Sequence, residues 1–312
     1  MQLSIIIPTY NRADVILRSL ETWTKQTLDA DKFEVIVVDN NSTDGSGELI
    51  QNFIKDYKNF YYLLETKQGS TNARHAGANR AKADILMFCD DDGLFNPECA
   101  SEILKVYEGN QEVVAVTGKI LIKWDKTPPD WIEPYEFMLG KLDYGDKVKY
   151  DTSFYLNGGV FSIKKKIFNN LGGFNPDLIG NYLVGDGDTG LVIKLHKKNL
   201  LIGYTPLAVM EHLQFVDKQG SEKDMGRRFY NIGISGSYGF FCENGFKFNL
   251  KVFKFIAKSF LFYMKKMFEK EFANNNRQKA YFSYMQRKGE LAFFMNLRIK
   301  EVRKEILEMK NK

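Results

Sequence analysis

The chain has little cysteine and no long apolar run. Its three cysteines, Cys89, Cys99 and Cys242, are odd in number, scattered and never in C-x-x-C spacing. That argues against a disulfide framework or a zinc site, and they read as small, buried, inert side chains. No stretch reaches the roughly 18 uninterrupted apolar residues that span a bilayer; the most apolar segment, 252–264, is cut by Lys254 and Lys258. The opening MQLSIIIPTYNR has too short an apolar core, and no basic start, for a signal peptide. A cytoplasmic protein is expected. No internal repeat and no low-complexity segment interrupts the chain.

What is present suffices for a sizeable core: 312 residues, 44% hydrophobic and 14% aromatic, which means one large domain or two medium ones. The net charge of +5 is unevenly spread. Residues 245–312 hold 17 Lys and Arg against 6 Asp and Glu, a net of +11, which leaves 27 against 33, or −6, for residues 1–244. The asymmetry suggests a catalytic unit at 1–244 followed by a tail that meets an anionic surface.

Apolar runs at 3–7, 33–39, 60–65 and 85–90 alternate with stretches of helical spacing, the first marked by Ala13, Ile16, Leu20 and Trp23. Continuous apolar strands between helices predict an α/β unit with a mainly parallel sheet buried on both faces. Ligands of such sheets bind beyond the carboxyl ends of the strands, where Thr9, Asp39 and Asp90 fall. A helix near 97–108, a strand at 112–122, a helix at 188–198 and two strands at 200–204 and 207–211 are expected next. WDKTPPDWIEPYEF, at 124–137, has three prolines and two tryptophans and reads as a shaped loop.

The segment LMFCDDDGL, at 86–94, runs an apolar strand into three carboxylates. Two like charges about 4 Å apart repel by roughly 4 kcal/mol at an effective dielectric near 20, so stability does not explain the cluster. Alternation along an extended chain points Asp90 and Asp92 one way and Asp91 the other. Same-side carboxylates at a strand end make a seat for a hard divalent cation; a solvated acidic turn opening the next helix is the other reading.

SIIIPTYNR at 4–12, VIVVDNNSTDGS at 35–46, GSTNARHAGANRAKADILMFCDDD at 69–92, NGGVFSIKKKIFNNLGGF at 157–174 and GDGDTGLVIKL at 185–195 together resemble the family 2 glycosyltransferases of GT-A fold. The resemblance stops near 245. It implies a Rossmann-like, mainly parallel sheet flanked by helices, and inverting, metal-dependent transfer of a sugar from a nucleotide diphosphate donor, UDP-sugar favoured. The acceptor would be a saccharide or a polyprenyl-linked saccharide in surface polysaccharide assembly. Thr9, Asn11, Arg12, Asp39, Arg74, Asp90 and Asp91 would bind the nucleotide, with Asp39 taking the base and Asp90 the ribose. Asp92, with His212 as a further ligand, would hold Mg2+ or Mn2+. Asn40 and His75 depart from the family pattern, which often has Asp and Asn there. Asp188 is the expected base with Asp186 its rival, because Gly187 replaces the usual Glu beside them. Whichever is not the base would cap the following helix.

Asn157, Gly158 and Gly159 match the acceptor and donor-sugar side, with a structural β-bulge as the alternative. Trp124 and Trp131 are candidates for stacking on a sugar. Arg227 and Arg228 are candidates for a loop over the diphosphate. GDGDTG matches G-x-G-x-x-G formally, but two aspartates in the loop would repel a pyrophosphate, and no dinucleotide is expected. Two rival functions share the sheet type: a sugar nucleotidyltransferase, which would start with a Gly-rich loop instead of PTYNR, and a nucleotide-sugar-binding scaffold without catalysis.

Beyond 245, Lys247, Lys251, Lys254 and Lys258 recur at helical spacing beside Phe248, Val252, Phe255 and Phe262. A basic amphipathic helical extension over 245–312 is expected, with 245–270 meeting an anionic membrane or packing on protein. Nucleic acid is not expected, an oligomer is compatible, and the location would be peripheral on the inner face of the membrane.

Overall fold

The computed structural model describes residues 1–179, 183–244, 250–268, 274–297 and 299–310. Strand and helix alternate first as β1 (Leu3–Thr9), α1 (Ile16–Trp23), β2 (Phe33–Asp39), α2 (Ser46–Ile54), β3 (Phe60–Leu64), α3 (Ser70–Arg80) and β4 (Ile85–Cys89). β5 (Gly93–Phe95), α4 (Cys99–Gly109) and β6 (Ala115–Trp124) follow, then a 3-10 helix (Asp130–Leu139), β7 (Lys149–Asp151), β8 (Val160–Lys164) and α5 (Lys165–Asn170). The remainder comprises β9 (Leu178–Ile179), β10 (Leu183–Val184), α6 (Gly187–Lys197), β11 (Ile202–Gln214), α7 (Val216–Gln219), α8 (Glu222–Asn244), α9 (Leu250–Phe268), α10 (Asn274–Asn296) and α11 (Lys300–Lys310).

The chain groups into two compact units. One comprises Met1–Lys123, Leu139–Phe174 and Gly187–Leu213; the other Trp124–Met138, Asn175–Asp186 and Gln214–Lys312. In the first, the described strands form one sheet in the order β3-β2-β1-β4-β8-β6-β11-β5, with β7 also on β11. β3, β2, β1 and β4 run parallel, and β8 turns the sheet antiparallel against β4. Alternate residues leave a strand on opposite faces, and here both faces are covered. Ile5, Val35 and Met87 join one core, and Ile6, Ile36 and Phe88 the other. Cys89 and Cys99 are buried, and Cys242 is half-buried.

Two strands run through prolines at which an end or a break is expected. β1 continues past Pro8. Thr9 turns its carbonyl to β2, accepting from Asn40 N–H, so Pro8 faces the β4 side, beyond the last β4 partner, Ile6. No ladder bond is lost there. The strands expected at 200–204 and 207–211 are one, β11. Pro206 falls between the stretch that pairs with β7 and the stretch that pairs with β5.

The second unit is helical, with a small β9-β10 hairpin. Its core joins Ile234, Tyr238 and Phe241 of α8, Ile256 of α9, Phe293 of α10 and Ile306 of α11. The segment read as a shaped loop holds the 3-10 helix, with Pro134 inside. Its prolines exclude an α-helix but not the tighter i to i+3 turn, and Ile132 N–H donates to the Pro129 carbonyl at 3.0 Å. The expected basic helix is present as α9, while Lys247 and Phe248 lie outside the described residues. Among the described residues no helix is long and apolar enough to cross a membrane.

Candidate active site

The carboxyl ends of β1, β2 and β4 carry the polar residues of the first unit. At the end of β2, Asp39 is buried. Its Oδ1 accepts from Ser42 N–H at 2.9 Å and its Oδ2 from the Tyr62 hydroxyl at 2.8 Å. Burial, then this hydrogen bond, pushes Tyr62 up to about 12. A Cβ on Gly47 would lie 2.7 Å from Asp39 Oδ2, so any other residue there would have to displace this carboxylate. Sequence reading missed Tyr62. The available signal was a phenol in a strand beside one that ends in Asp.

The loop after β1 is stitched to the loop after β2. Asn11 N–H donates to Ser42 Oγ, Arg12 N–H to Ser46 Oγ and Ala13 N–H to Asp44 Oδ2, at 3.0 to 3.1 Å. Asn11 has φ of 51° and Asn41 of 65°, left-handed conformations that Asn tolerates better than most residues. Asn40 is also structural: Nδ2 donates to the Glu65 and Lys67 carbonyls at 2.9 and 2.8 Å, while Oδ1 accepts from Gly69 N–H at 2.8 Å. An ionised Asp cannot donate to two carbonyls, which explains the amide at this position.

Asp90, Asp91 and Asp92 follow β4 and take different partners. Asp90 Oδ1 accepts from Arg74 Nη2 at 2.7 Å. Asp91 Oδ2 accepts from Thr9 Oγ1 at 2.7 Å. Burial and the neighbouring Asp92 charge push Asp91 up to about 7, although Arg12 and Thr9 oppose the shift. Asp92 Oδ1 lies 3.1 Å from His212 Nε2, and its Oδ2 lies 3.4 Å from Arg12 Nη2. The register between β5 and β11 makes this contact, because His212 is paired with Gly93, the residue after Asp92. Burial opposes a charge on His212, but the hydrogen bond and charge of Asp92 outweigh it and raise the imidazole above its ordinary value. Asp92 is held below the usual carboxylate range, because His212 and Arg12 outweigh its burial.

One ligand atom each from Asp90, Asp92 and His212 lies within 4.8 Å of the others. Two carboxylates and an imidazole are a donor set suited to a divalent cation such as Mg2+ or Mn2+. The set fits on its chemistry, with the condition that His212 must give up its proton to ligate.

Arg74, on α3, joins this cluster to α6. Besides Asp90, its Nη2 reaches the Gly158 carbonyl at 3.4 Å, and its guanidinium lies 5.5 Å from the Phe174 ring centroid. Asp188, in the first turn of α6, accepts from Gly158 N–H through Oδ2 at 3.0 Å and from Thr189 N–H through Oδ1 at 2.9 Å. Burial raises Asp188 above the usual carboxylate value, the Asp90 charge adds to this, and Arg74 opposes it. Asn157 Oδ1 accepts from Gly159 N–H at 2.9 Å, and its Nδ2 reaches the Gly140 carbonyl at 3.3 Å. His75, beside Arg74, accepts the Phe174 N–H on Nε2 at 3.0 Å. It thereby fixes the residue that lies against Arg74, a role with no local sequence mark.

Asp186, Trp124, Trp131, Arg227 and Arg228 belong to the second unit. Asp186 Oδ2 accepts from Asn175 Nδ2 at 3.1 Å. Trp124 Nε1 reaches Glu136 Oε1 at 3.4 Å, and the Trp131 ring packs 5.9 Å from that of Phe282. Arg227 and Arg228 sit in α8, not in a loop. Ser221 starts that helix early, its Oγ accepting the Asp224 N–H at 3.1 Å, as an N-cap does. Arg227 pairs with Asp224 at 3.6 Å, and Arg228 Nη1 reaches the Met138 carbonyl at 3.3 Å.

Comparison with known proteins agrees with this architecture. The chain is 28% identical over 203 residues to the uncharacterized glycosyltransferase YfnE of Bacillus subtilis, covering 59% of this chain and 50% of the relative. It is 31% identical over 184 residues to an uncharacterized glycosyltransferase of Haemophilus influenzae, covering 56% and 57%. The chain thus spans about half the length of these curated relatives. Its fold is similar to that of the mannosyltransferase PcManGT from Pyrobaculum calidifontis in complex with GDP-Man and Mn2+, with a TM-score of 0.56 at 16% identity, covering 99% of this chain and 79% of that one. It is also similar to S. aureus TarS in complex with UDP, with a TM-score of 0.52 at 16% identity, covering 95% and 92%. The family profile described as Glycosyl transferase family 2 matches residues 4–172. That stretch is more than half of the chain and runs from β1 through the acidic cluster to the Gly172 turn, so the chain belongs to glycosyl transferase family 2.

Proposed function

We propose that the protein transfers a sugar from a nucleoside diphosphate donor, UDP-sugar favoured, to a hydroxyl of a saccharide or polyprenyl-linked saccharide, with inversion, in surface polysaccharide assembly. The observation that carries this reading is the position of Arg74, which bonds Asp90 at 2.7 Å and shares Gly158 with Asp188. One arginine thus lies between a carboxylate of the candidate ligand set and a carboxylate able to take a proton.

In this reading Asp39 accepts from the base, and Asp90 and Arg74 meet the ribose and diphosphate with Thr9, Asn11, Arg12 and Asp91 around them. Asp188 takes the acceptor's proton as the acceptor oxygen bonds to the anomeric carbon and the bond from that carbon to the diphosphate oxygen breaks. Burial raises Asp188 above the usual carboxylate range, which makes its ionised form a better proton acceptor than an exposed aspartate. Asp186, held by Asn175, serves as structural support in this assignment. Asp90, Asp92 and His212 would hold Mg2+ or Mn2+, which supplies positive charge to the departing diphosphate when bound. The backbone of Asn157, Gly158 and Gly159 would approach the donor sugar. Catalysis is assigned to residues 1–244, with 245–312 as an appended helical extension, and the reaction is placed on the cytoplasmic side at the inner face of the membrane.

The test is a thermal-shift titration with UDP, GDP, CDP and dTDP, each with and without Mn2+, on the wild type and on Asp92→Ala. A ligand at about 100 Kd stabilises the native state by roughly 2.7 kcal/mol. Stabilisation by one nucleotide only with metal, lost in Asp92→Ala, supports the assignment and names the base. A wild type that no nucleotide shifts would overturn the donor site.

A further inference from the structure

The second unit presents a surface that the transfer reaction does not use. α9 carries Lys251, Lys254, Lys258, Lys265 and Lys266 and no Asp or Glu; Glu269 and Glu271 follow it in the sequence. At about 100° per residue, Lys254, Lys258 and Lys265 fall within about 40° of arc. Phe255 and Phe262 lie on one shoulder of that arc, Leu261 and Phe268 on the other. All four are exposed, at 61%, 54%, 57% and 81%. The opposite side of the helix is occupied: Ile256 is buried in the core of this unit, and the Phe260 ring packs 4.9 Å from that of Tyr284 on α10. The lysine ridge and its apolar shoulders therefore form the outward side of a helix whose other side is already fixed.

We infer that this side of α9 docks on an anionic lipid surface. A bilayer interface takes both components at once, phosphates meeting the ammonium groups while the rings sink to the level of the acyl chains. A polyphosphate such as nucleic acid would satisfy the lysines and leave the four apolar side chains in water. A second copy of this helix would oppose like charges. The membrane is therefore the occupant that matches both the charge and the apolar area. Lys266, whose ammonium lies 5.7 Å from the Phe262 ring centroid, adds a further cation beside one of these rings. The inference stands apart from the donor-site assignment, since no residue of the candidate active site takes part.

The full chain is sedimented with vesicles of phosphatidylcholine alone and of phosphatidylcholine mixed with phosphatidylglycerol. Binding to the mixed vesicles is expected to be at least about tenfold tighter and to fall as salt is raised. Lys254→Gln with Lys258→Gln and Lys265→Gln should bring it to the level of the neutral vesicles. Phe255→Ser with Phe262→Ser should weaken it at fixed salt. The salt titration needs no variant and so reads the idea even if a substitution perturbs folding. Equal binding to both vesicles, no binding to either, or full retention by the lysine variant would overturn the proposal. So would light scattering that finds a dimer in the wild type and a monomer in the lysine variant, because the surface would then join copies of the chain.

Discussion

Gly158 N–H donates to Asp188 Oδ2 at 3.0 Å, and the absence of a side chain on Gly158 is what allows Arg74 to share the same place. A Cβ there would lie 2.7 Å from Arg74 Nη2 and 2.8 Å from Asp188 Oδ2. Gly158→Ala must therefore separate the two side chains. Displacement of reacting groups by about 1 Å can cost about 100-fold in rate. The expected outcome is a fall in kcat of that order with a Tm close to wild type, measured by donor turnover and thermal unfolding. Wild-type kcat in Gly158→Ala would remove Asp188 from the chemistry.

Asp188 must be ionised to take a proton, and its burial raises its titration above the ordinary aspartate value of 3.8. As pH falls through the raised value, the carboxylate gains a proton and activity is lost, while above it Asp188 is free to accept one. The acid limb of kcat/KM should lie above pH 3.8 and vanish with the activity in Asp188→Asn, which should cost about 100- to 10,000-fold. Asp186→Asn, measured in parallel, should keep the wild-type pH profile. If Asp186→Asn abolishes turnover and Asp188→Asn does not, the two roles are exchanged.

Tyr62 bears on the proposed nucleotide end. Its hydroxyl occupies Asp39 Oδ2 at 2.8 Å while Ser42 N–H occupies Oδ1, so the orientation of the carboxylate is fixed before any base arrives. Tyr62→Phe deletes one hydrogen bond worth about 0.5–1.5 kcal/mol. Calorimetric titration with the stabilising nucleotide should show Kd raised about 2- to 12-fold with kcat at saturation unchanged. A change in kcat alone would rule out a role confined to the base.

Much of this was legible in the chain. β1, β2 and β4 announced themselves because strands buried on both faces read as unbroken apolar runs, and the carboxylates at their ends marked the edge where the candidate site lies. Longer-range features left no local trace. His75 holds Phe174 across 99 residues, and Tyr62 holds Asp39 from a different strand. The grouping of 124–138 and 175–186 with the C-terminal helices joins segments far apart in sequence. Pro206 broke the period that would have shown β11 as one strand, since local pattern cannot report where a pairing partner ends. The basic side of α9 was visible because helical spacing is local, whereas its exposure depends on what α10 covers.

Asn40 gives the sharpest test of a departure from the family pattern. It is buried, its amide donates to the Glu65 and Lys67 carbonyls, and its Oδ1 takes the Gly69 N–H. These bonds tie the end of β2 to the loop that leads into α3 and so to Arg74. Asn40→Asp keeps the shape but points a carboxylate oxygen at two carbonyls, leaving both without a donor. Two part-buried hydrogen bonds are lost, each worth about 0.5–1.5 kcal/mol, so the loss should be about 1–3 kcal/mol by urea unfolding. The surroundings favour the protonated acid, which can still donate once, so the folded-state pKa of the new Asp is raised. A raised carboxyl costs stability above its unfolded value, and the cost grows as pH rises toward the folded value. Asn40→Asp should therefore lie further below wild type at pH 8 than at pH 5, and its nucleotide-induced thermal shift should shrink as the loop before Arg74 loosens. An unchanged Tm at both pH values would mean that the loop is held by other contacts and that the amide here is incidental.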